Sequence, residues 1–352
     1  MSQQQQEEYK SVIITGCNSG IGLEAVRQLL REEWDSNRKT KHIVMACRGV
    51  ELSNSEMETF IQDYLKEHPE RNETELKSQI TALKLDLASF KSIHQFVSEI
   101  KSLIDSSKIP PLHSLVCNAG LQYANKLVLT EEGYEATFGV NHLGHFLLIN
   151  LLLPLFTKST NSKNRIVIVS SDTHDRTKFT GMPVPEFETA EKLAIISTDS
   201  DTEQDNSKLG RVRYTTSKFC NILCAYELVT RLQSHPIYRD QFTVNSFNPG
   251  FVPTTGLSRD YNKFLRAIAR NVLPLLRFVH SGVRTLEVSG YDLKQLIIDR
   301  NLENVTGKYF DGSNMIDSSP DTYNTTIQNE LWEDSIKLII AKSDIISKTN
   351  FL

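Results

Sequence analysis

Short runs of consecutive apolar residues alternate along this chain with longer stretches in which apolar positions recur about every 3.6 residues. The runs have the signature of strands buried on both faces, and the longer stretches that of helices covering them. Strands are predicted at Ser11–Thr15, Lys41–Cys47, Gln79–Leu85, Leu112–Cys117, Asn164–Ser170 and Phe242–Phe247, with a short last one at Thr306–Asp311. Helices are predicted from LEAVRQLLREEW, SNSEMETFIQDYLKEHPE, LASFKSIHQFVSEIKSLI, a long interrupted region between Thr130 and Phe156, YTTSKFCNILCAYELVTRLQ, SGVRTLEVSGYDLKQLI and NTTIQNELWEDSIKLII. Strand and helix in alternation specify an α/β fold: a doubly wound parallel sheet of about seven strands with helices on both faces.

Two stretches depart from this pattern. Residues 172–210 are rich in Ser, Thr, Asp and Glu and lack a period, which predicts an insertion that forms an elaborated loop or small lid beside a site. Residues 251–280 are basic and apolar, with prolines at 253 and 274. That character suits a cover over a substrate, the preferred reading, and also a membrane surface. No repeat, polyproline tract or linker divides the chain, so residues 1–352 are expected to form a single domain.

Composition narrows the functional class. A formal net charge of -4 without a concentrated basic stripe argues against general nucleic-acid binding. The five cysteines, Cys17, Cys47, Cys117, Cys220 and Cys224, are odd in number and lack paired metal spacing, which points to a reducing, cytoplasmic compartment. The stretch MSQQQQEEYK has neither the basic flank nor the apolar core of a secretory signal. FLLINLLLPLF at 146–156 is too short for a bilayer and carries a proline, so it reads as a core helix.

The candidate chemistry begins directly after the first strand, where TGCNSGIG sets Gly16, Gly20 and Gly22 ahead of a helix. Glycines there let a backbone approach a pyrophosphate, and the helix N-terminus offers free N–H groups, so the context is that of a Rossmann-type dinucleotide site. Arg48 ends the second strand, where an acid would favour free ribose hydroxyls and an arginine receives a 2′-phosphate; NADP(H) is therefore preferred over NAD(H). Asp86 and Leu87 close the third strand, where a short carboxylate can accept a hydrogen bond from adenine. Asn118, Ala119 and Gly120 follow the fourth, and their small side chains let a cofactor pass close to the sheet.

Asn141, His142 and His145 lie near one another in the long helical region, but no third Cys or acidic ligand is in register. No metal is expected there, and the two histidines read as packing and local hydrogen-bonding groups. Ser170 and Ser171 stand at the carboxyl end of the fifth strand, the edge where such sheets hold ligands. Tyr214 and Lys218 are one helical turn apart, so a phenol and an ammonium face one pocket. A phenol beside a fixed cation ionises more readily than at its free pKa of about 10 and moves protons in a reaction.

In their order, Thr15 to Gly22, Asp86, Asn118-Ala119-Gly120, Asn141, the serine pair, Tyr214 with Lys218 and Pro249-Gly250 resemble the short-chain dehydrogenase/reductase superfamily over nearly the whole chain. TGCNSGIG, Arg48 and NHLGHF look most like its retinol-dehydrogenase and light-dependent protochlorophyllide-reductase branch. The resemblance implies cofactor contacts from Gly16, Asn18, Ser19, Gly20, Ile21, Gly22, Arg48, Asp86, Leu87, Asn118, Ala119 and Gly120. On the nicotinamide side it implies Tyr214, Lys218, Pro249, Gly250, Val252 and Thr254, with Thr255 as the neighbour. It also implies catalytic roles. Tyr214 is the proton donor or acceptor, Lys218 holds the nicotinamide ribose and favours the phenolate, Ser171 or its neighbour Ser170 bonds the substrate oxygen, and Asn141 orders the lysine and a relay water.

The activity so implied is NADP(H)-dependent hydride transfer to or from a small, apolar carbonyl or alcohol. Light-driven reduction of a tetrapyrrole, and a cofactor-binding regulatory protein without turnover, are the alternatives. No transmembrane span is expected, and peripheral membrane contact through 251–280 and a homodimer or other homo-oligomer are compatible with the sequence.

Overall fold

The computed structural model describes residues 10–36, 41–157, 162–196, 206–253, 282–343, 347–348 and 351–352. Among them, β1 (Lys10–Thr15), β2 (Lys41–Cys47), β3 (Ile80–Lys84), β4 (Leu112–Cys117), β5 (Asn164–Val169), β6 (Phe242–Asn248), β7 (Lys308–Asp311) and β8 (Asn314–Ile316) form one sheet. Its order is β3-β2-β1-β4-β5-β6-β7-β8. Every pairing is parallel except the last. The chain leaves β1 in one direction through β2 and β3 and resumes on its other side with β4, which opens a crevice at the carboxyl ends of β1 and β4.

The expected sheet of about seven strands is present and gains one short strand at its edge, β8. β8 returns against β7 through Gly312, whose φ of +62° suits the tight reversal. Its three residues are all exposed, so they carry no alternation of buried and exposed positions from which a strand could be read.

The strand interiors are apolar without a break because both faces are covered, and the period of two sorts their side chains. Ile13, Val44, Leu115, Ile166 and Val244 turn to one face. There they meet Phe96, Phe146, Leu223 and Trp332, which come from the helices Phe90–Asp105, His145–Leu152, Asn206–Ser234 and Thr325–Ile340. Val12, Ile14, Met45, Val116, Val167 and Phe247 turn to the other, against Leu29, Phe60 and Leu293 from the helices Gly20–Asp35, Val50–Glu67 and Leu286–Ile298. Each such side chain contributes about 1.5–3 kcal/mol by burial, which makes this double core the frame that fixes the crevice.

The expected long helical region runs over Ala136–Leu155; it is apolar enough and long enough to cross a membrane, but most of it is buried inside the protein. Gly139–Gly144 within it is wound as a π-helix. The helix carrying Tyr214 begins at Asn206, so the last residues assigned to the 172–210 insertion belong to that helix. The described part of the insertion opens on a 3-10 turn, Asp172–His174, and contains one short α-helix, Ala190–Ala194, inside the stretch FETAEKLAII. Of the expected cover at 251–280, all but residues 251–253 lies outside the described residues, and Thr254 and Thr255 lie there with it.

Candidate active site

Gly16 and Gly20 both take left-handed backbone, with φ of +63° and +62°. A Cβ at Gly16 would also stand 2.8 Å from the Cα of Ala119, so both conformation and space require glycine here. Ser19 caps the following helix by its backbone alone, without a side-chain hydrogen bond. Gly20 and Ile21 line the adjoining cavity, so the first-turn N–H groups remain for an anion, with the positive end of the helix behind them. Gly22 does not line the cavity. A Cβ there would lie 2.5 Å from Nδ2 of Asn118, so this glycine lets the helix seat against the β4 turn.

That turn is fastened to β1 by Thr15. Its Oγ1 accepts the N–H groups of Asn118 and Ala119, each at 3.0 Å. The amide of Asn118 returns the tie by donating to the carbonyl of Thr15 at 2.8 Å. The Thr15 hydroxyl also lies 2.9 Å from Nε2 of His145, whose Nδ1 is 3.2 Å from the Asn141 carbonyl. Only a protonated Nδ1 can donate to that carbonyl, which leaves Nε2 to accept from Thr15. Burial, aided by the Lys218 charge, lowers His145 to about 4, so the ring is neutral as this tautomer requires. His142 is likewise neutral, lowered by burial to about 3, and its Nε2 meets Ser335 Oγ at 2.8 Å. Among the described residues no cluster of metal-ligating side chains occurs.

Asn141 sits in the π-wound turn, a form common at functional sites. Its Oδ1 accepts the N–H of Leu121 at 2.8 Å, and its Nδ2 donates to the Leu121 carbonyl at 3.0 Å and to Ser217 Oγ at 2.9 Å. Ser217 in turn donates to the Tyr214 carbonyl at 2.7 Å, which joins this turn to the helix of Tyr214 and Lys218.

Lys218 is buried, and burial lowers it to about 8. Its ammonium donates to the Val169 carbonyl at 3.2 Å and lies 5.6 Å from the centre of the Tyr214 ring. A Cβ at Gly120 would approach it to 3.3 Å, so the last residue of the Asn118-Ala119-Gly120 triplet leaves room for the amine. The Tyr214 phenol stands above its ordinary pKa, not below it. Burial is the main cause, the Asp172 charge adds to it, and the Ser171 hydroxyl pulls the other way. The sequence expectation weighed only the lysine and missed both burial and the carboxylate.

The two serines divide their work. Ser170 is buried and donates to the Lys218 carbonyl at 2.7 Å, fixing the helix to β5. Ser171 is half-buried and donates to the Asp172 carboxylate at 3.0 Å.

A cavity of about 290 Å³ lies over the crevice. Gly16, Asn18, Ser19, Gly20, Ile21 and Arg48 form one part of its lining, and Asp86, Leu87 and Asn118 to Gly120 the next. Ser170, Tyr214, Lys218 and Pro249 close the far end. Arg48 is exposed at the end of β2, and Asp86 uses Oδ1 to accept the Ala88 N–H at 3.0 Å. Asn141 and Ser171 stand outside the lining, as do Gly250, which turns with φ of +75°, and Val252, which is buried. Sequence reasoning did not anticipate Thr15 as a junction, Cys47 in the wall or Asp172 beside the serine. The glycine conformations and the passage between Gly16 and Gly120 fit a dinucleotide laid across the crevice.

A family model described as short chain dehydrogenase matches residues 47–184. The chain is 31% identical over 332 residues to a WW domain-containing oxidoreductase of Gallus gallus, covering 94% of this chain and 68% of that protein. It is 30% identical over 344 residues to a chloroplastic protochlorophyllide reductase of Cucumis sativus, covering 94% and 77%. Relatives with such different names at nearly the same identity single out no one branch. Among solved structures, the 3-ketoacyl-(acyl-carrier-protein) reductase of Brucella melitensis complexed with NADH shares the fold. Its TM-score is 0.55 at 16% identity, over 87% of this chain and 97% of that one.

Proposed function

The chain belongs to the short-chain dehydrogenase/reductase family, and we propose that it is an NADP(H)-dependent oxidoreductase acting on an apolar carbonyl or alcohol. The observation that carries this reading is the arrival of buried Tyr214 and Lys218 at the same cavity that the glycine turn opens. The cofactor, when bound, supplies or accepts the hydride. Tyr214 gives a proton to the substrate oxygen in reduction and takes one in oxidation, and Ser171 holds that oxygen once its hydroxyl turns from Asp172. Lys218 has donors beyond the one given to Val169, and these hold the ribose hydroxyls. Asn141 bonds Leu121, which follows the Gly120 that borders the lysine, and Ser217, the residue before Lys218. All five cysteines are free and buried, which supports a reducing, cytoplasmic setting, and the one sheet supports a single domain.

The preference for NADP(H) rests on Arg48, exposed in the wall of the cavity, where among the described residues the only carboxylate in the lining is that of Asp86. Titrating the protein and Arg48→Ala with NADPH and with NADH tests it. The variant is expected to weaken NADPH far more than NADH, and equal losses for both would remove Arg48 as the selector. Following NADPH absorbance across carbonyls and alcohols of graded size and apolarity tests the activity. Nucleotide binding without turnover over the whole panel would favour a regulatory protein instead.

The likeness to protochlorophyllide reductase supports a second reading, light-driven reduction of a tetrapyrrole double bond. Illumination with protochlorophyllide and NADPH decides it, since absence of a product spectrum removes that reading.

A further inference from the structure

We propose that Cys17 and Cys47 form a reversible dithiol–disulfide modification site, oxidised by a small hydroperoxide entering the cleft, and that the disulfide closes the cleft to the dinucleotide. The two sulfurs lie 3.7 Å apart although the residues are 30 apart in sequence. The parallel register that sets Thr15 opposite Ala46 brings them together: Cys17 stands in the glycine turn just past β1, and Cys47 is the last residue of β2.

The pair is asymmetric. Cys47 lines the cavity and Cys17 does not, so an entering peroxide meets Cys47 first. The hydrogen bond with Cys17 pulls the Cys47 thiol down to about 7 against burial, with help from Ser53 and the N–H groups of Cys17 and Asn18. Cys17 is pushed up by burial and by its bond to Cys47, and it keeps its proton, which the Cys47 sulfur and the Ile14 carbonyl at 3.0 Å share. Cys117, Cys220 and Cys224 are all raised by burial, which leaves Cys47 as the cysteine with thiolate character.

The chemistry balances with one hydroperoxide. The Cys47 thiolate attacks the terminal peroxide oxygen, the O–O bond breaks, and the leaving alkoxide takes a proton from water, giving an alcohol and a sulfenic acid. The Cys17 sulfur then attacks the Cys47 sulfur, the S–O bond breaks, and the departing hydroxide leaves with the Cys17 proton as water. Two electrons pass from the dithiol to the peroxide. An S–S bond is about 2.05 Å long, so closing it draws the glycine turn and the end of β2 toward each other. On the helix side Cys17 is closely packed, since a Cβ at Gly22 would stand 3.1 Å from its Cα. Gly16, Asn18 and Arg48, the residues that flank the two cysteines, line the cleft wall, so the movement is felt there.

The closure of the cleft rests on the dinucleotide reading above, whereas the disulfide itself does not. Reduced full-length protein is treated with hydrogen peroxide, with and without NADPH, then mapped by peptide mass and titrated with NADPH. One disulfide joining Cys17 to Cys47 is expected, removed by dithiothreitol and slowed by NADPH, with NADPH affinity about tenfold weaker in the oxidised form. Cys17→Ser is expected to stop at a Cys47 sulfenic acid captured by dimedone, and Cys47→Ser to give neither product. Peroxide-treated protein that keeps both as thiols, or pairs either with another cysteine, overturns the site. A Cys17–Cys47 disulfide that leaves NADPH affinity unchanged overturns the closure. Should reduced protein fail to bind NADPH, the cofactor reading falls while the mass map still decides the disulfide.

Discussion

Ser171 donates its hydroxyl proton to the carboxylate of the next residue, Asp172, at 3.0 Å. The acid thus stands beside the one serine of the pair that is not tied to Lys218, and its charge helps to hold Tyr214 as the neutral phenol. Removing that charge with Asp172→Asn makes the phenolate easier to form. The opposing charge near the ring, Lys218, is unchanged by the substitution. The pH–rate profile of alcohol oxidation, which needs the ionised form, is expected to move to lower pH by about one unit, equivalent to ~1.4 kcal/mol. A profile that stays in place would show that Asp172 does not act on Tyr214.

Tyr214→Phe keeps the ring in its buried place over the lysine and removes only the hydroxyl. Loss of a positioned acid–base group costs about 10²–10⁴ in rate, so turnover is expected to fall by that factor while NADPH affinity holds. Nucleotide titration and steady-state turnover on one carbonyl substrate measure the two separately. Full turnover in the variant would assign the proton to another group.

Buried and half-buried histidines make the fold sensitive to acid. Burial lowers His42 and His145 to about 4 and His113 and His142 to about 3, and it lowers His94 and His174 as well, all from the ordinary value of 6.5. Their folded-state pKa is depressed, so below about pH 6.5 the unfolded chain binds the extra protons and stability falls as pH falls. Each contributes up to about 1.4 kcal/mol per pH unit of that fall. Glu135 and Asp292, whose carboxyls burial pushes up, work in the opposite direction, two groups against six. Urea unfolding from about pH 7 down to pH 5 should show the loss, and a level stability over that window would contradict it.

Gly290 holds the helix Leu286–Ile298 against Gly20–Asp35. A Cβ there would lie 2.8 Å from Glu24 Cβ and 3.2 Å from the Ala25 nitrogen, neither of which is a flexible tip. Alanine gains up to about 1 kcal/mol of helix propensity, but overpacking costs about 1–3 kcal/mol. Gly290→Ala is therefore expected to lower stability by about 1–2 kcal/mol, read as a drop in thermal midpoint. A rise in the midpoint would show that the two helices part without cost.

TGCNSGIG and the Tyr214–Lys218 spacing were legible in the sequence because each is local: a turn needing left-handed glycines, and two side chains one helical turn apart. The Thr15–His145 contact was not legible. It joins residues 130 apart, and neither a threonine in a strand nor a histidine in an apolar helix announces a long-range partner. His145 read as a packing and hydrogen-bonding group, which its neutral, doubly bonded ring agrees with, but the partner came only from the fold. The start of the Tyr214 helix was placed late because NSKLGRVR has a glycine and three cations in place of an apolar stripe. That glycine, Gly210, is where the helix presses on another segment, since a Cβ there would stand 2.2 Å from the Tyr123 carbonyl oxygen.

The threonine that fastens the β4 turn also bonds the histidine that holds the Asn141 carbonyl. The floor of the crevice and the turn that steadies Leu121 and Ser217 are therefore geared together, and neither can change its register alone. The gearing uses neutral groups, so salt leaves it untouched. A sequence that keeps these three residues keeps the frame, and what the site accepts can then be altered outside it. The loop of residues 172–196, which contributes nothing to the linkage, can exchange its charges and length without disturbing the gear.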